Sequence, residues 1–416
     1  MGKKVTVIGG GIVGLSSAYY LHKEGHEVTV IDKSNMDSGA SHVNAGYLTP
    51  SHIIPLAAPG MISKGLRYMF NATSPFYMKP RFDTEFIKWA WAFKKSSTQR
   101  KVAKAIPNIC DINLLSRELY DAIKASKELG EIHYERKGLL MLFQTQKEGD
   151  HEITTAEKAK KLGLKSNVLD KTGIKLMEPN IDVNAIGAVH YLCDGHTTPN
   201  DIMLKMVDFL EKSGVILRKN EEVIDFKRQG DSIRFVKTAV NEYSCDEVVL
   251  AAGSWSARLS KKLGCNLLLQ AGKGYRIDVS KSTGITMPAL LLEAKIAVTP
   301  MLGYTRLAGT MEFSGVNHYI RKVRVNAIAN GAKSYYEGLD IPKTDIDHVR
   351  CGLRPVSPDG LPYIGRTKNT KNLVLATGHA MMGWSLGPAT GKLVSEIISH
   401  RKPSLNISPY DPDRKF

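Results

Sequence analysis

The sequence of 416 residues contains few cysteines and no CxxC motif. Its five cysteines lie far apart in the chain, at Cys110, Cys193, Cys245, Cys265 and Cys351. This spacing argues against a disulfide framework and against a cysteine-based zinc site, so we predict no metal. Scattered free thiols are typical of a reducing compartment, and a cytoplasmic protein is therefore expected.

Long hydrophobic runs and long basic runs are also missing. No stretch of about eighteen apolar residues occurs, so no membrane-spanning helix is expected. The formal net charge of +16 could favour binding to nucleic acid, to an anionic membrane or to an anionic ligand. Because the basic residues form only small groups such as Lys94-Lys95 and Lys261-Lys262, a solvated cationic surface is the simplest interpretation. Weak attraction to anionic lipid comes next, and no nucleic-acid partner is predicted.

The beginning of the chain predicts a dinucleotide-binding βαβ unit. An apolar strand at Val5–Ile8 leads into a glycine-rich turn, and a helix then runs to Gly25. A second apolar strand ends at Asp32, where a carboxylate could accept hydrogen bonds from a ribose. Glycines in such a turn let the backbone approach a phosphate, which also lies at the helix N-terminus. The turn contains Gly9, Gly11 and Gly14. A βαβ unit without a ligand is the alternative.

The same nucleotide fold is predicted to return twice along the chain. The apolar strand Glu247–Leu250 ends in small residues, and the strand Leu373–Thr377 leads into a glycine turn and a final helix. We therefore assign residues 1–50, 138–260 and 346–416 to a discontinuous nucleotide-binding domain. Residues 51–137 and 261–345 are assigned to a second domain, and a proline- and glycine-rich loop is predicted over Gly352–Gly365.

Two apolar stretches of the second domain allow more than one interpretation. Ile53–Phe70 contains prolines and few acids, and Phe86–Phe93 is rich in aromatic side chains at helical spacing. Aromatic stripes of this kind usually belong to the core. A lid or a shallow membrane-contact patch is the alternative interpretation.

Several motifs together resemble one family. The chain contains Gly9-x-Gly11-x-x-Gly14, Asn44-Ala45-Gly46, Ala251-Ala252-Gly253-Ser254-Trp255, Gly352-Leu353-Arg354-Pro355 and Thr377-Gly378-His379 in this order. It resembles the D-amino acid oxidase superfamily of FAD enzymes, and within it the bacterial D-amino acid dehydrogenases. The resemblance covers nearly the whole chain. It implies an α/β fold with a discontinuous Rossmann-like FAD-binding domain and an inserted α+β substrate-binding domain.

The resemblance also implies an FAD site. Related dimethylglycine-type enzymes tether FAD through a histidine at the place held here by Val43. Because His42 lies one residue before that position, noncovalent FAD is predicted. The implied cofactor-binding residues are Gly9, Gly11, Ile12, Val13, Gly14, Asp32, Lys33, Ser41, Asn44, Ala45, Gly46, Tyr47, Leu48, Val223, Ala252, Gly253, Trp255, Arg354, Gly378, His379, Met382, Gly383, Trp384 and Ser385.

Arg354 matches the superfamily arginine that binds the substrate carboxylate through a bidentate, charge-assisted pair. A structural arginine that braces the proline loop is the alternative. His379 matches a flavin-side residue. Weaker candidates for substrate contact are Tyr275, Tyr304 and His52. The active-site tyrosine of the oxidases has no secure counterpart in this chain.

The implied reaction is oxidative deamination of a D-amino acid, with D-proline and hydroxyproline among the candidate substrates. Electrons would pass from flavin to a quinone or another carrier. An oxidase of glycine, sarcosine or a D-amino acid is the alternative. A more remote alternative is a flavoprotein that acts as an RNA-binding or assembly subunit. Peripheral contact with the inner face of the cytoplasmic membrane and a homo-oligomer are both left open.

Overall fold

A computed structural model describes residues 2–60, 74, 76–79 and 83–416 of the protein. Part of the predicted apolar stretch Ile53–Phe70, from residue 61 onward, lies outside these described residues. Within them, no helix is both long and apolar enough to cross a bilayer.

The strands of the described residues are numbered along the chain. They are β1 (Lys4–Ile8), β2 (Glu27–Ile31), β3 (Tyr47–Leu48), β4 (Phe76–Met78), β5 (Tyr134–Glu135), β6 (Leu139–Phe143), β7 (Ser166–Leu169), β8 (Gly187–Tyr191), β9 (Gly195–Thr197), β10 (Ile216–Arg218), β11 (Val223–Gln229), β12 (Ser232–Thr238), β13 (Glu242–Ser244), β14 (Glu247–Leu250), β15 (Gln270–Val279), β16 (Ala289–Leu291), β17 (Ile296–Met301), β18 (Tyr304–Phe313), β19 (Arg350–Val356), β20 (Tyr363–Arg366) and β21 (Leu373–Thr377).

The α-helices are numbered in the same way. They are α1 (Ile12–Lys23), α2 (Ala40–Val43), α3 (Thr84–Ser96), α4 (Gln99–Ser126), α5 (Gln146–Lys161), α6 (Lys171–Met177), α7 (Pro199–Lys212), α8 (Ser256–Lys261), α9 (Lys322–Tyr335), α10 (Lys343–Asp347) and α11 (Gly383–Ile398). Two short 3₁₀ helices, Gly253–Trp255 and Ser408–Tyr410, complete the helical elements.

A six-stranded sheet in the order β10-β2-β1-β14-β21-β20 forms the Rossmann-like part of the fold. Its neighbouring strands are parallel except for the antiparallel pair β20 and β21. Continuous apolar runs such as Val5–Ile8 and Glu247–Leu250 suit strands that are covered on both faces. Strands from the start, middle and end of the chain therefore meet in one sheet.

Helices α1 and α11 pack against each other beside this sheet. A side chain at Gly391 would overlap with the backbone of Ser16, and one at Gly387 would lie 2.7 Å from Ile12. Glycine at these two positions lets the helices approach closely. Because α1 begins at Ile12 and α11 begins at Gly383, both helix N-termini reach the same cavity, described below.

A second, nine-stranded sheet continues in the order β19-β15-β18-β17-β16-β6-β8-β7, with β4 added beside β18. Its strands β6, β7 and β8 come from residues that the sequence analysis assigns to the nucleotide-binding domain. Strand β6 pairs with β16, so these residues extend the sheet of the second domain instead. The sheets therefore do not divide at the predicted boundary of residue 138.

Strand β19 also differs from what the sequence predicts. Residues 352–356 were predicted to lie in a loop, but they belong to β19, which pairs with β15 over seven residue pairs from Gln270–Val356 to Arg276–Arg350. Arg354 is consequently held on a strand and not on a loop. A rigid position of this kind favours precise binding of a ligand.

Candidate active site

Residues of both large sheets line one cavity of about 2290 Å³. The carboxyl ends of the parallel strands β1, β2, β14 and β21 all open into it, which is where ligands bind in folds of this class. The loop before α2, the strands β15, β18 and β19, and the turn before α11 supply the rest of its wall. The residues that the sequence predicts for cofactor and substrate are brought together here, with the exceptions given below.

One end of the cavity is formed by the glycine turn and the N-terminus of α1. Gly9 has φ of 110°, and a side chain at Gly14 would overlap with the carbonyl oxygen of Gly9. Gly11 faces the cavity, and the nearest atom to a side chain there would be Ser41 Oγ at 3.2 Å. Ser41 Oγ also accepts a hydrogen bond of 3.0 Å from the backbone N–H of Ile12. The turn thus has the shape and the exposed helix end that a pyrophosphate requires.

Asp32 lies at the carboxyl end of β2, beside the glycine turn. Its Oδ2 accepts a 2.6 Å hydrogen bond from Gly10 N, and its Oδ1 accepts 2.7 Å hydrogen bonds from Ser34 N and Oγ. These contacts fix the carboxylate at the cavity wall. A carboxylate has about four acceptor positions, so it can also accept hydrogen bonds from a ribose.

An aromatic platform lies next to Asp32. The Trp255 ring stacks on His318 with centroids 6.1 Å apart, and Lys33 Nζ lies 3.4 Å from the centroid of the Trp255 ring. Burial lowers the pKa of Lys33. Val223 and Ala252 line the cavity nearby, so this end can hold a flat ring such as adenine. His318 was not predicted, because nothing in the sequence links it to Trp255.

The loop that follows α2 is held by the second sheet. Arg306 is fully buried and donates from Nη1 to the carbonyls of His42, at 3.1 Å, and Asn44, at 2.7 Å. Thr299 Oγ1 donates to Ala45 O at 2.7 Å. These contacts keep the backbone of Asn44–Ala45 fixed at the cavity wall. Arg306 was missed, although a charged residue inside the apolar run of β18 is a signal that could have drawn notice.

His42 lies at the same wall, but its ring is already engaged. Its Nε2 is 3.1 Å from the Met36 carbonyl, and the side chain is buried. Burial lowers the pKa of this imidazole. The contact occupies Nε2 of His42, and noncovalent FAD stays a prediction.

The N-terminus of α11 presents several predicted residues to the cavity. Trp384 Nε1 donates to Thr197 Oγ1 at 2.8 Å, and Ser385 Oγ donates to Asn113 Oδ1 at 2.8 Å. Ser385 Oγ also accepts from Thr49 N at 3.2 Å. Met382 and Gly383 line the wall beside them. Backbone N–H groups at a helix start favour negative charge, which develops on a flavin when it is reduced.

His379 lies in the turn before this helix and is buried at the cavity wall. Its Nε2 is 2.9 Å from Thr390 Oγ1, and this hydroxyl donates to Leu386 O at 2.8 Å. The hydroxyl must therefore accept from Nε2–H, which assigns the tautomer. Burial lowers the pKa of His379 to about 3, so the imidazole is neutral near pH 7.

Arg354 is the cation in this cavity that most clearly lacks a partner. Its Nη1 donates to Thr310 O at 2.8 Å, and no carboxylate of the described residues forms an ion pair with it. The residues outside the described ranges contain no Asp or Glu. Burial lowers the pKa of the guanidinium to about 10, which still leaves it charged at pH 7. A half-buried cation that faces a cavity without an anionic partner can bind an anion there.

The surroundings of Arg354 are shaped for this side chain. A side chain at Gly274 would overlap with its guanidinium, so glycine makes the space. Thr310, whose carbonyl holds Nη1, has φ of 66°, a left-handed conformation that costs a β-branched residue energy. Its Oγ1 is buried without a hydrogen-bond partner. Backbone strain retained next to a cation at a cavity wall is typical of a functional site.

His52 also lies at the cavity wall, as predicted. Its Nδ1 is buried without a hydrogen-bond partner, and burial lowers the pKa of the imidazole to about 4. A neutral imidazole with a free nitrogen can accept a hydrogen bond from a ligand.

Tyr275 and Tyr304 do not line the cavity. Neighbours on a strand point to opposite faces, so Gly274 and Arg276 face the cavity while Tyr275 faces away. The Tyr275 hydroxyl donates to Glu312 Oε2 at 2.8 Å. The Tyr304 hydroxyl accepts from Arg306 Nη2 at 3.2 Å. The structure therefore gives both tyrosines other partners, and neither is brought to Arg354.

Four residues predicted to bind the cofactor also lie behind the wall, namely Gly14, Gly46, Leu48 and Gly378. Three of them shape the backbone instead. Gly46 and Gly378 have φ of 80° and 83°, and Gly14 permits the turn before α1. Their contribution is to position neighbours that do reach the cavity.

Comparison with known proteins identifies the family. The family model described as FAD dependent oxidoreductase, DAO, matches residues 4–397. The chain belongs to the DAO family of FAD-dependent oxidoreductases. Its cofactor is FAD, and the cavity described above has the elements needed to hold it, from the glycine turn to the N-terminus of α11.

Relatives and solved structures agree with this assignment. The D-amino acid dehydrogenase of Granulibacter bethesdensis is 30% identical over 97% of this chain and 97% of its own. The D-amino acid dehydrogenase of Helicobacter pylori is 29% identical over 95% of each. The crystal structure of glycine oxidase from Geobacillus kaustophilus covers 100% of both chains with a TM-score of 0.78 and 22% identity. That of L-proline dehydrogenase from P. horikoshii covers 99% and 97% with a TM-score of 0.75 and 20% identity. These structures confirm the fold.

Proposed function

We propose that this flavoenzyme is a D-amino acid dehydrogenase and that Arg354 binds the carboxylate of its substrate. The observation that carries the proposal is the guanidinium of Arg354, half-buried at the cavity wall without an acidic partner. A carboxylate would complete two charge-assisted hydrogen bonds there. The names of the relatives at about 30% identity support a D-amino acid as the substrate. D-Proline and hydroxyproline remain candidates within this class.

The proposed reaction needs orientation more than it needs an acid or a base. Bound FAD supplies the hydride acceptor. Arg354 fixes the substrate carboxylate, and fixing one end of the substrate limits the directions that its Cα–H bond can take. The electrons of that bond leave as hydride while a C=N bond forms from the neutral amine and an N–H proton is released. Water then converts an acyclic imino acid to a 2-oxo acid and ammonia, whereas a cyclic substrate such as D-proline would give a pyrroline carboxylate.

Two histidines have complementary places in this proposal. His52, with its free Nδ1, is proposed to contact the polar part of the substrate. His379 is proposed to lie on the flavin side, because Thr390 holds its ring and α11 begins four residues later. Both imidazoles are neutral near pH 7, since burial lowers the pKa of His52 to about 4 and that of His379 to about 3. Neither would therefore compete with Arg354 for the carboxylate.

The electron acceptor is proposed to be a quinone or another carrier and not oxygen. In an anaerobic assay with a redox dye, we expect D-amino acids to bleach the flavin and the dye to be reduced over many turnovers. In air without the dye, we expect peroxide at less than about a tenth of the dye-reduction rate. A panel of D-amino acids, their L-enantiomers, glycine and sarcosine sets the substrate class. Peroxide release at the rate of dye reduction would identify an oxidase instead.

We also propose a peripheral contact with an anionic membrane through α3. Ile87 and Trp91 are 55% and 58% exposed on this helix. Lys94 Nζ and Lys95 Nζ each lie 5.6 Å from the centroid of the Trp91 ring. Exposed apolar side chains flanked by lysines are typical of helices that lie in a bilayer interface. A membrane quinone would then be within reach of the flavoenzyme.

The α3 proposal can be tested with vesicles. We expect the holoenzyme to sediment with vesicles that contain about 30% anionic lipid, and Trp91→Ala to reduce the bound fraction several-fold because it removes the largest exposed apolar group. Leu204→Ala is the matched control, since Leu204 is 64% exposed on α7. Equal binding of the Trp91 variant and the wild type would contradict the proposed surface.

A further inference from the structure

A cluster of two histidines and a glutamate lies outside the cavity, on the small sheet β3-β9-β5. Glu135 is on β5, and His133 precedes that strand by one residue, so the two side chains share a face. Glu135 pairs directly with His196 on the antiparallel strand β9. Backbone pairing alone therefore brings the three side chains together.

The ligand atoms of the cluster are close together. His133 Nε2 lies 3.6 Å from Glu135 Oε1, and His196 Nε2 lies 3.8 Å from Glu135 Oε2. One ligand atom from each of the three residues lies within 4.8 Å of the others. Nitrogen and oxygen ligands around a zinc ion, each about 2.0 Å from the metal, are separated by somewhat more than 3 Å. Small side-chain rotations would therefore be enough to reach this spacing.

One residue of the cluster lacks a hydrogen-bond partner. His196 is only 1% exposed, yet its Nδ1 has no hydrogen-bond partner and its Nε2 faces Glu135. Glu135 Oε2 is buried next to Lys137 Nζ, 2.6 Å away. Buried polar groups are nearly always satisfied, so the buried imidazole of His196 indicates that the cluster can take a ligand.

The ring of His133 is already oriented for such a ligand. Its Nδ1 lies 2.8 Å from Thr198 Oγ1, which also accepts a 3.1 Å hydrogen bond from Leu302 N. When Nδ1–H donates to this hydroxyl, the lone pair of Nε2 is directed at Glu135. Holding the second nitrogen of a histidine in this way is the usual support of a metal ligand.

We propose that His133, Glu135 and His196 bind a divalent transition metal, with Zn²⁺ as the best match to two imidazoles and a carboxylate. Glu135 is 35% exposed, so the ion has a path from solvent. Lys137 Nζ lies 2.6 Å from Glu135 Oε2, outside hydrogen-bond geometry, and its half-exposed side chain can leave when the ion enters. The prediction of no metal considered only cysteine-based sites, whereas the spacing His133-x-Glu135 is the signal for this one.

The cluster would brace the wall of the cavity. On β9, Thr197 follows His196 and donates to Gly46 O from both N, at 2.8 Å, and Oγ1, at 2.9 Å. Thr197 Oγ1 also accepts from Trp384 Nε1. A metal that joins β5 to β9 would therefore stabilise the strand that supports both the loop at Gly46 and the start of α11.

The experiment measures Zn²⁺ binding by the holoenzyme, made without a histidine tag and stripped with chelator. In competition with a chromophoric chelator at pH 7.5, we expect one equivalent of Zn²⁺ per chain and a thermal midpoint that rises when it binds. Glu135→Gln should lower the affinity at least 10-fold, and His133→Asn serves if the first variant loses its flavin. Lys137→Met should raise the affinity, because it removes the competing cation.

His22→Asn on α1 is the control for adventitious binding by surface histidines, and it should leave the affinity unchanged. Flavin absorbance and circular dichroism of each variant verify that the protein is folded. The proposal is overturned if the wild type binds no stoichiometric Zn²⁺, or if Glu135→Gln and His133→Asn both bind it as the wild type does. If Lys137→Met does not raise the affinity for Zn²⁺, Lys137 does not compete with the ion for Glu135.

Discussion

Arg354→Met is expected to lower kcat/KM for the amino acid by a factor of about 10²–10³, while FAD stays bound. Removal of one partner from a buried charge pair typically costs about 3–4 kcal/mol, and each 1.4 kcal/mol is tenfold. Methionine keeps the stem volume beside Gly274, so the cavity should hold its shape. Steady-state dye reduction gives kcat/KM, and the flavin spectrum of the purified variant gives the bound FAD.

Arg350→Met is the matched control for this experiment. Arg350 lies on the same strand and also lines the cavity, but it is exposed. We expect its replacement to change kcat/KM by less than about threefold, since an exposed charge contributes little. Arg354→Lys should retain only part of the activity, because an ammonium cannot form the bidentate pair. If a variant without arginine at position 354 oxidises the amino acid as fast as the wild type does, Arg354 does not bind the substrate carboxylate.

Local patterns were sufficient to predict the Rossmann-like half of the fold. The apolar run before Gly9 and the strand that ends at Asp32 each contain their own signal, in β-branched residues, glycines and a terminal acid. The strands β14 and β21 carry the same kind of apolar signal, and the structure pairs β1 with β14 and β14 with β21. These elements are therefore located correctly from sequence.

The strand order of the second sheet could not be predicted from local patterns in the same way. Strand β6 looks like any buried strand, and only its tertiary pairing with β16 shows which sheet it joins. Tyr275 shows the same limit at the level of one residue. Its place in the motif near Gly274 suggested the pocket, but the alternation along β15 turns its side chain to Glu312. Arg306 supports the loop at Asn44 from more than 250 positions away, a contact that no local pattern predicts.

Gly14→Ala is expected to destabilise the protein by about 3 kcal/mol and to abolish FAD retention. Helix propensity predicts the opposite sign, because alanine is favoured over glycine inside a helix by about 1 kcal/mol. Packing decides here, since the new Cβ would overlap with the carbonyl oxygen of Gly9 and neither backbone segment can move without opening the turn. Denaturant unfolding of the purified variant measures the free energy, and its flavin absorbance measures the bound cofactor.

Substitutions at two further glycines separate an effect on stability from an effect on FAD binding. Gly173→Ala, in α6, would place its Cβ 3.3 Å from Leu169 Cβ and Cδ2, which needs a shift of only a few tenths of an ångström, so we expect the stability to change by less than about 1 kcal/mol. Gly11→Ala would meet only Ser41 Oγ, at 3.2 Å, and otherwise project into the cavity. Its protein should fold as the wild type does but bind FAD more weakly. If Gly14→Ala were as stable as Gly173→Ala, the turn would tolerate a side chain, and close approach of the α1 N-terminus to Gly9 could not be the reason for glycine there.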